Sequence, residues 1–119
     1  MGSKALSMKI KQFDIWLANL NPGKGTEPGK TRPVVILQTD FLNNIHPSTI
    51  ICPLTSQVQK EAKLLRIHLA KEQLDKESDV LVDQIRAIDN RRLMERLGSL
   101  NSTQIRDLKN SLKIVLDLE

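Results

Sequence analysis

The chain has 119 residues, a formal net charge of +4 and 39% hydrophobic residues, which fits one domain with a modest core. No apolar run nears the roughly 18–20 residues of a membrane-spanning helix, and no secretory signal pattern is present. A lone cysteine, Cys52, excludes an intrachain disulfide and a multi-cysteine metal site, so the cytoplasm is the expected compartment.

The opening "MGSKALS" reads as an expression leader. Residues 1–7 are therefore set aside, Met8 is the expected native start, and 8–119 is expected to form a single domain. Phe13 to Leu20, "FDIWLANL", has the bulky residues of a first strand. "NPGKGTEPGKTRP" is a loop dense in Gly and Pro. Pro33 to Gln38, "PVVILQ", is continuously apolar and predicts a buried strand. "TDFLNNIHPS" predicts a short helical turn or loop, and Thr49 to Leu54, "TIICPL", a third strand. Leu64 to Leu69, "LLRIHL", alternates as a half-buried strand does, and Asp79 to Ile88, "DVLVDQIRAI", predicts a fifth.

The tail follows another period. "NSTQIRDLKNSLKIVLDL" sets Ile105, Leu108, Leu112 and Val115 on one helical face. Asn101 is the expected N-cap, with Gln104 as its capping-box partner. Several short strands followed by a helix predict an α+β fold, a small barrel or curled sheet with the helix packed on it.

Charge is uneven along this plan. From Leu20 to Ala70 six basic residues (Lys24, Lys30, Arg32, Lys60, Lys63, Arg66) face three acidic ones (Glu27, Asp40, Glu61). A basic surface suits nucleic acid or another acidic partner, and a soluble surface with no such partner fits a net charge this small equally well.

Gly29-Lys30-Thr31 gives the ending of a P-loop, which requires G-x-x-x-x-G-K-[ST] between a strand and a helix. The first glycine would be residue 24, which is Lys24. After Thr31 come Arg32, Pro33 and a β-branched run, so a strand follows where the phosphate-holding helix should begin. The nucleotide-binding reading is rejected. What remains is a basic loop whose last residue, Arg32, stands at the mouth of a buried strand. Arg is always charged and can fork onto a phosphate.

Thr55, Ser56 and Gln57 follow directly on the third strand and can hold a phosphate or a base edge. Gln84 and Arg86 share a face by the period of two. Taken singly, each of these reads better as an ordinary surface residue than as a functional one: an Arg closing a loop, a polar turn, a solvated strand face. His46 lies in a loop and His68 on the polar side of its strand, and their spacing does not demand a two-histidine centre. Metal-ligand spacing is absent. Cys52 sits in an apolar run, as a small core residue does. Trp16 fits core packing, or base stacking if its ring reaches a groove.

Together the fragments carry more. "DIW" at Asp14–Trp16, "KGTEPGKTRPVVIL" at Lys24–Leu37, "CPLTSQ" and "VDQIRAID" occur in the order seen in MazF/PemK-type toxins. The chain resembles that family from about Phe13 to the C-terminal helix. The resemblance implies an SH3-like small β-barrel with a C-terminal helix, a homodimer, and sequence-specific, metal-independent cleavage of single-stranded mRNA as the toxin of a toxin–antitoxin pair. By motif match it implies Arg32 and Thr55 as the catalytic pair and Glu27 as the acidic loop residue. Lys30, Thr31, Ser56, Gln57, Gln84, Arg86 and Trp16 complete the expected substrate-binding set. No cofactor is expected. The implied partners are RNA, an antitoxin with an acidic C-terminal tail, and operator DNA through that antitoxin. The chain departs from the pattern at Phe13 and Ala18, and aromatic residues are only 3% of it, which bears on sequence preference more than on the catalytic pair. A non-catalytic nucleic-acid-binding barrel or regulator would use the same basic loop without bringing Arg32 to Thr55. A peptide-binding barrel would need more aromatics than one Trp and two Phe.

Overall fold

The computed structural model describes residues 9–26 and 29–119. Seven strands are present: β1 Asp14–Asn19, β2 Thr31–Ile36, β3 Ser48–Thr55, β4 Arg66–Leu69, β5 Ser78–Leu81, β6 Arg86–Asp89 and β7 Leu93–Ser99. A single-turn helix, α1 Lys71–Leu74, precedes β5, and a longer helix, α2 Ser102–Val115, follows β7. Every strand pair is antiparallel, in the order β4-β5-β3-β2-β1-β7, with β6 also on β3. The sheet curls like a small barrel but does not close. β4 and β7 stand at its two ends, so the strand edges that closure would remove are retained.

The continuous apolar run of β2 is explained by burial on both sides. Val35 joins Ile15, Cys52, Leu54, Ile67, Leu69, Val80, Val82, Leu100 and Leu108 in one core. Val34 and Ile36 point the other way, into a second core with Trp16, Ala18, Leu20, Ile51, Ile88 and Leu93. The period of two thus sends alternate residues of β1, β2 and β3 into different cores.

β3 has two neighbours along one edge. Leu54 and Thr55 pair with β5, whereas Ser48 to Ile51 pair with β6. The expected fifth strand, Asp79 to Ile88, is therefore two strands. The chain turns at Val82 and Asp83, and the Gln84 N–H donates to Leu81 O at 3.1 Å. This corrects the expectation that Gln84 and Arg86 share a strand face: Arg86 starts β6, and Gln84 lies in the connection before it. β7, "LMERLGS", was not expected, because only Leu93 among its residues is buried. After β6, Asp89 caps a short 3-10 turn. It accepts from the Arg91 side chain and backbone N–H, which pulls its carboxyl down to about 2.

α2 begins as its sequence requires. Asn101 accepts from Gln104 N–H at 2.9 Å, and the Gln104 side chain accepts from Asn101 N–H at 3.0 Å. Gln104 is itself buried and also donates to His68 O at 3.2 Å, which fastens the helix to β4. Leu108 is fully buried below it, with Ile105, Leu112 and Val115 at the margin of the same core. Among the described residues no helix is long and apolar enough to cross a membrane. Asn101→Ala is expected to cost about 1 kcal/mol, which lowers Tm by about 4 °C in a domain of this size. Leu108→Ala is expected to cost about 3 kcal/mol through the cavity it leaves. Thermal or urea unfolding measures both.

Candidate active site

The register of β2 on β3 places the site. Val34, Val35 and Ile36 lie opposite Pro53, Cys52 and Ile51. Continued two residues outward, the same register sets Arg32 opposite Thr55. Both side chains line an open groove of about 610 Å³ at this end of the sheet. Lys30, Thr31, Ser56 and Gln57 line it too, with Leu74 and Leu81 as apolar surface.

Arg32 is half-buried and held at two atoms. Nε donates to Gly29 O at 3.0 Å and Nη1 to Leu54 O at 3.1 Å. Its remaining donors have no partner among the described residues. The carbonyl that orients Nε depends on a tight loop neck. A Cβ at Gly29 would come within 2.6 Å of Gly23 N, a backbone atom with no freedom to yield. Asn21 Oδ1 accepts from Lys30 N–H, and Leu20 N–H donates to Lys30 O at 2.9 Å. Arg92 Nη1 grips the other flank, donating to Asn19 O at 2.9 Å and Asn21 O at 2.7 Å. Lys30 is left-handed, with φ at 65°, a conformation that costs a non-glycine residue about 1 kcal/mol. The loop dense in glycine therefore pinches shut just before Arg32.

Thr55 ends β3 and is partly exposed. Its Oγ1 accepts from Gln57 N–H at 3.1 Å, which leaves the hydroxyl proton available to a ligand. The groove is one-signed. Lys30, Arg32, Arg66 and Lys76 line it, and no carboxylate does so among the described residues. Sequence reading counted Arg66 as basic but did not assign it to the site, although it opens the alternating strand β4. Lys76 gave no signal, because it enters only through the turn between α1 and β5.

Other expected residues lie elsewhere. Glu27 is outside the described residues. Gln84 and Arg86 do not line the groove, and Arg86 Nη1 is buried without a hydrogen-bond partner among the described residues. Trp16 is only 5% exposed and packs in the second core, so its ring is not presented to the groove. Cys52 is fully buried, its Sγ donating to Val82 O at 3.7 Å. Desolvation, then the Asp83 charge, pushes its thiol up to about 12.

Fold and groove define a small barrel-like α+β protein with a cation-lined groove at one end of its sheet. Residues 11–116 match the model of the PemK-like, MazF-like toxin of type II toxin–antitoxin systems. The chain is 38% identical over 112 residues to "Endoribonuclease MazF" of Staphylococcus saprophyticus, covering 92% of each chain. Its fold is similar to crystal structures from Deinococcus radiodurans. For MazF alone the TM-score is 0.82 at 23% identity, covering 94% of this chain and 100% of that one. For MazF in a MazE–MazF crystal structure it is 0.76 at 20% identity, with the same coverage. The chain belongs to the PemK-like, MazF-like toxin family.

Two outcomes follow from the packing. Gly29→Ala is expected to cost about 1–3 kcal/mol through the backbone clash and to displace Arg32, as a crystal structure of the variant would show. Cys52 is expected to resist a thiol reagent at about pH 8 until the protein unfolds. Below the unfolded thiol's pKa this group's contribution to stability is complete. It is lost as pH rises from about 9 toward about 12, where the unfolded chain alone gives up the proton. Denaturant titrations of wild type and Cys52→Ala across that window measure the difference.

Proposed function

We propose that this chain, an endoribonuclease toxin of the MazF-like family, cuts single-stranded mRNA at specific sequences without a metal, through the substrate's own 2′-hydroxyl. The observation that carries the reading is the convergence of Arg32 and Thr55 in a groove lined by cations. The 2′-hydroxyl gives up its proton to a base and attacks the adjacent phosphorus, the P–O5′ bond breaks, the leaving 5′-oxygen takes up a proton from an acid or water, and negative charge builds on the non-bridging oxygens in between. The groove has two tasks: to hold that phosphate in line and to stabilise the charge.

Arg32 serves the second task. Its guanidinium is oriented before substrate arrives, because Gly29 O and Leu54 O hold it from behind. A preorganised donor aimed at developing charge is worth about 3–4 kcal/mol. Thr55 donates its free proton to the same phosphate. Lys30 and Lys76 draw in the flanking backbone, and Ser56 and Gln57 reach base edges or phosphates. A guanidinium, which holds its proton tightly, is a poor general base at neutral pH. A carboxylate such as that of Glu27 is chemically better suited to that task, and the reading gives Arg32 the electrostatic role and leaves the base open.

The one-signed groove is also complementary to an acidic antitoxin tail, whose binding there would exclude RNA. Operator DNA would be reached through that antitoxin. Phe41 and Ile45 are 89% and 80% exposed, apolar area that a homodimer would cover. Cleavage of mRNA in the cytoplasm would stop translation and growth.

The test is cleavage of a long single-stranded RNA in excess EDTA, with the cut sites and end groups mapped. Discrete cuts with 5′-hydroxyl and 2′,3′-cyclic phosphate (or 3′-phosphate) ends are expected. Arg32→Ala and Thr55→Ala are each expected to lower kcat by about 100-fold or more. Arg32→Lys keeps the charge but loses the fork and is expected to retain less than about a tenth of the activity. An all-deoxy strand should survive. Binding by a folded wild type that cuts none of several RNAs would favour a non-catalytic regulator instead.

A further inference from the structure

One wall of the groove is built around a group that this chemistry leaves unused. Asp79 on β5 is fully buried and paired in register with Thr55 on β3. Its carboxylate meets three polar groups. Gln59 N–H donates to Oδ2 at 2.9 Å, Arg66 Nη1 donates to the same oxygen at 3.2 Å, and His68 Nδ1 lies 3.1 Å from Oδ1. Arg66 Nη1 also donates to Gln57 O at 2.7 Å. On the other side of the same Cα, Gln57 N–H donates to Thr55 Oγ1 at 3.1 Å. A continuous line of hydrogen bonds thus runs from Asp79 through Arg66 and Gln57 to the Thr55 hydroxyl.

A buried carboxylate is tolerated only when its acceptor sites are filled, so it dictates where its donors sit. The chain between β3 and β4 contains only turns and bends. Nothing in its own backbone ladder would fix the segment that leaves Thr55, and the donors on Asp79 do so. We propose that Asp79 and Arg66 are positioning residues for Thr55. They hold the turn so that Oγ1 accepts from Gln57 and its own proton faces the groove. The inference rests on the reading of Thr55 as the hydroxyl that contacts the scissile phosphate. Arg66 also lines the groove, so the test must separate positioning from direct contact with RNA.

Steady-state cleavage of one RNA is compared for wild type, Asp79→Asn, Arg66→Gln, Thr55→Ala and the Asp79→Asn/Thr55→Ala double variant. Asn keeps the shape but replaces one acceptor oxygen with a donor. In Asp79→Asn and Arg66→Gln kcat is expected to fall by about 10- to 100-fold, with KM changed by less than about twofold. The salt dependence of RNA binding should be unchanged. Adding Asp79→Asn to Thr55→Ala should cause no further loss of residual cleavage, which a general weakening of the fold would not reproduce. Exchange of the Gln57 amide hydrogen should accelerate in both single variants.

Asp79→Asn cleaving at the wild-type rate would overturn the proposal, as would the same proportional loss in the Thr55→Ala background. A salt slope reduced by about 0.7 in Arg66→Gln would make Arg66 a phosphate contact and overturn it too. If wild type itself cuts no RNA, the ribonuclease reading fails separately, and the relay is judged by Gln57 exchange alone. If Asp79→Asn does not fold, Arg66→Gln carries the same comparison, because the Arg66 side chain is 18% exposed.

Discussion

The pairing of β2 with β3 is the constraint on which the rest of the molecule depends. Three consecutive residue pairs lock Val34, Val35 and Ile36 against Pro53, Cys52 and Ile51. Both faces of this ribbon are buried, so residue volume and not polarity discriminates one register from another. The end of the ribbon adds a second lock. The loop neck closes by contact of Gly29 with Gly23, by the Lys30 N–H donated to Asn21 Oδ1, and by Arg92 donating to the Asn19 and Asn21 carbonyls. A slip of β2 would have to break that neck as well as repack two cores. The same register that fills the cores brings Arg32 level with Thr55.

The groove shows how little of the proposed catalytic site the regular elements need to supply. Strand ends give Arg32 and Thr55 their positions. Carbonyl oxygens at Gly29 and Leu54 give Arg32 its orientation, and a peptide N–H gives Thr55 its hydrogen-bond role. Backbone groups are fixed wherever the chain is fixed, so a site oriented by them inherits the rigidity of the sheet. The cations around it are held less strictly and act at longer range. On the proposed reading Lys30 and Lys76 raise the local concentration of phosphate.

Much of this was legible in the sequence, and the parts that were not have physical reasons. The strand runs from Phe13, Pro33 and Thr49 carried enough bulk or apolar continuity to be read directly. The N-cap at Asn101 and its Gln104 partner were read because a capping box is a local signal confined to four residues. β7 was invisible because it is an end strand with one neighbour, and its Glu95, Arg96 and Met94 face solvent. The break between β5 and β6 was hidden because Val82 is buried in the turn and Ile85 packs against the core, so hydrophobicity runs through the bend. Within the groove, "RP" and "TSQ" marked strand ends, and a strand end is a place where chemistry can be shown to solvent. Lys76 reaches the wall, and Asp79 its buried place behind it, only through tertiary pairing, and no pattern in one dimension announces it. Trp16 illustrates the converse: an aromatic residue beside an expected groove that the period of two directs into the core.

One feature of the core sets a condition on how the molecule comes into being. Leu108 of α2 belongs to the same buried cluster as Ile15, Val35 and Cys52 near the other end of the chain, and Gln104 is bonded across to β4. The hydrophobic interior is therefore sealed by a helix that follows all the strands it covers. These contacts join distant parts of the chain, so a fragment that stops before Ser102 leaves the cluster around Ile15, Val35 and Cys52 open to solvent. Apolar surface uncovered in this way favours self-association over folding.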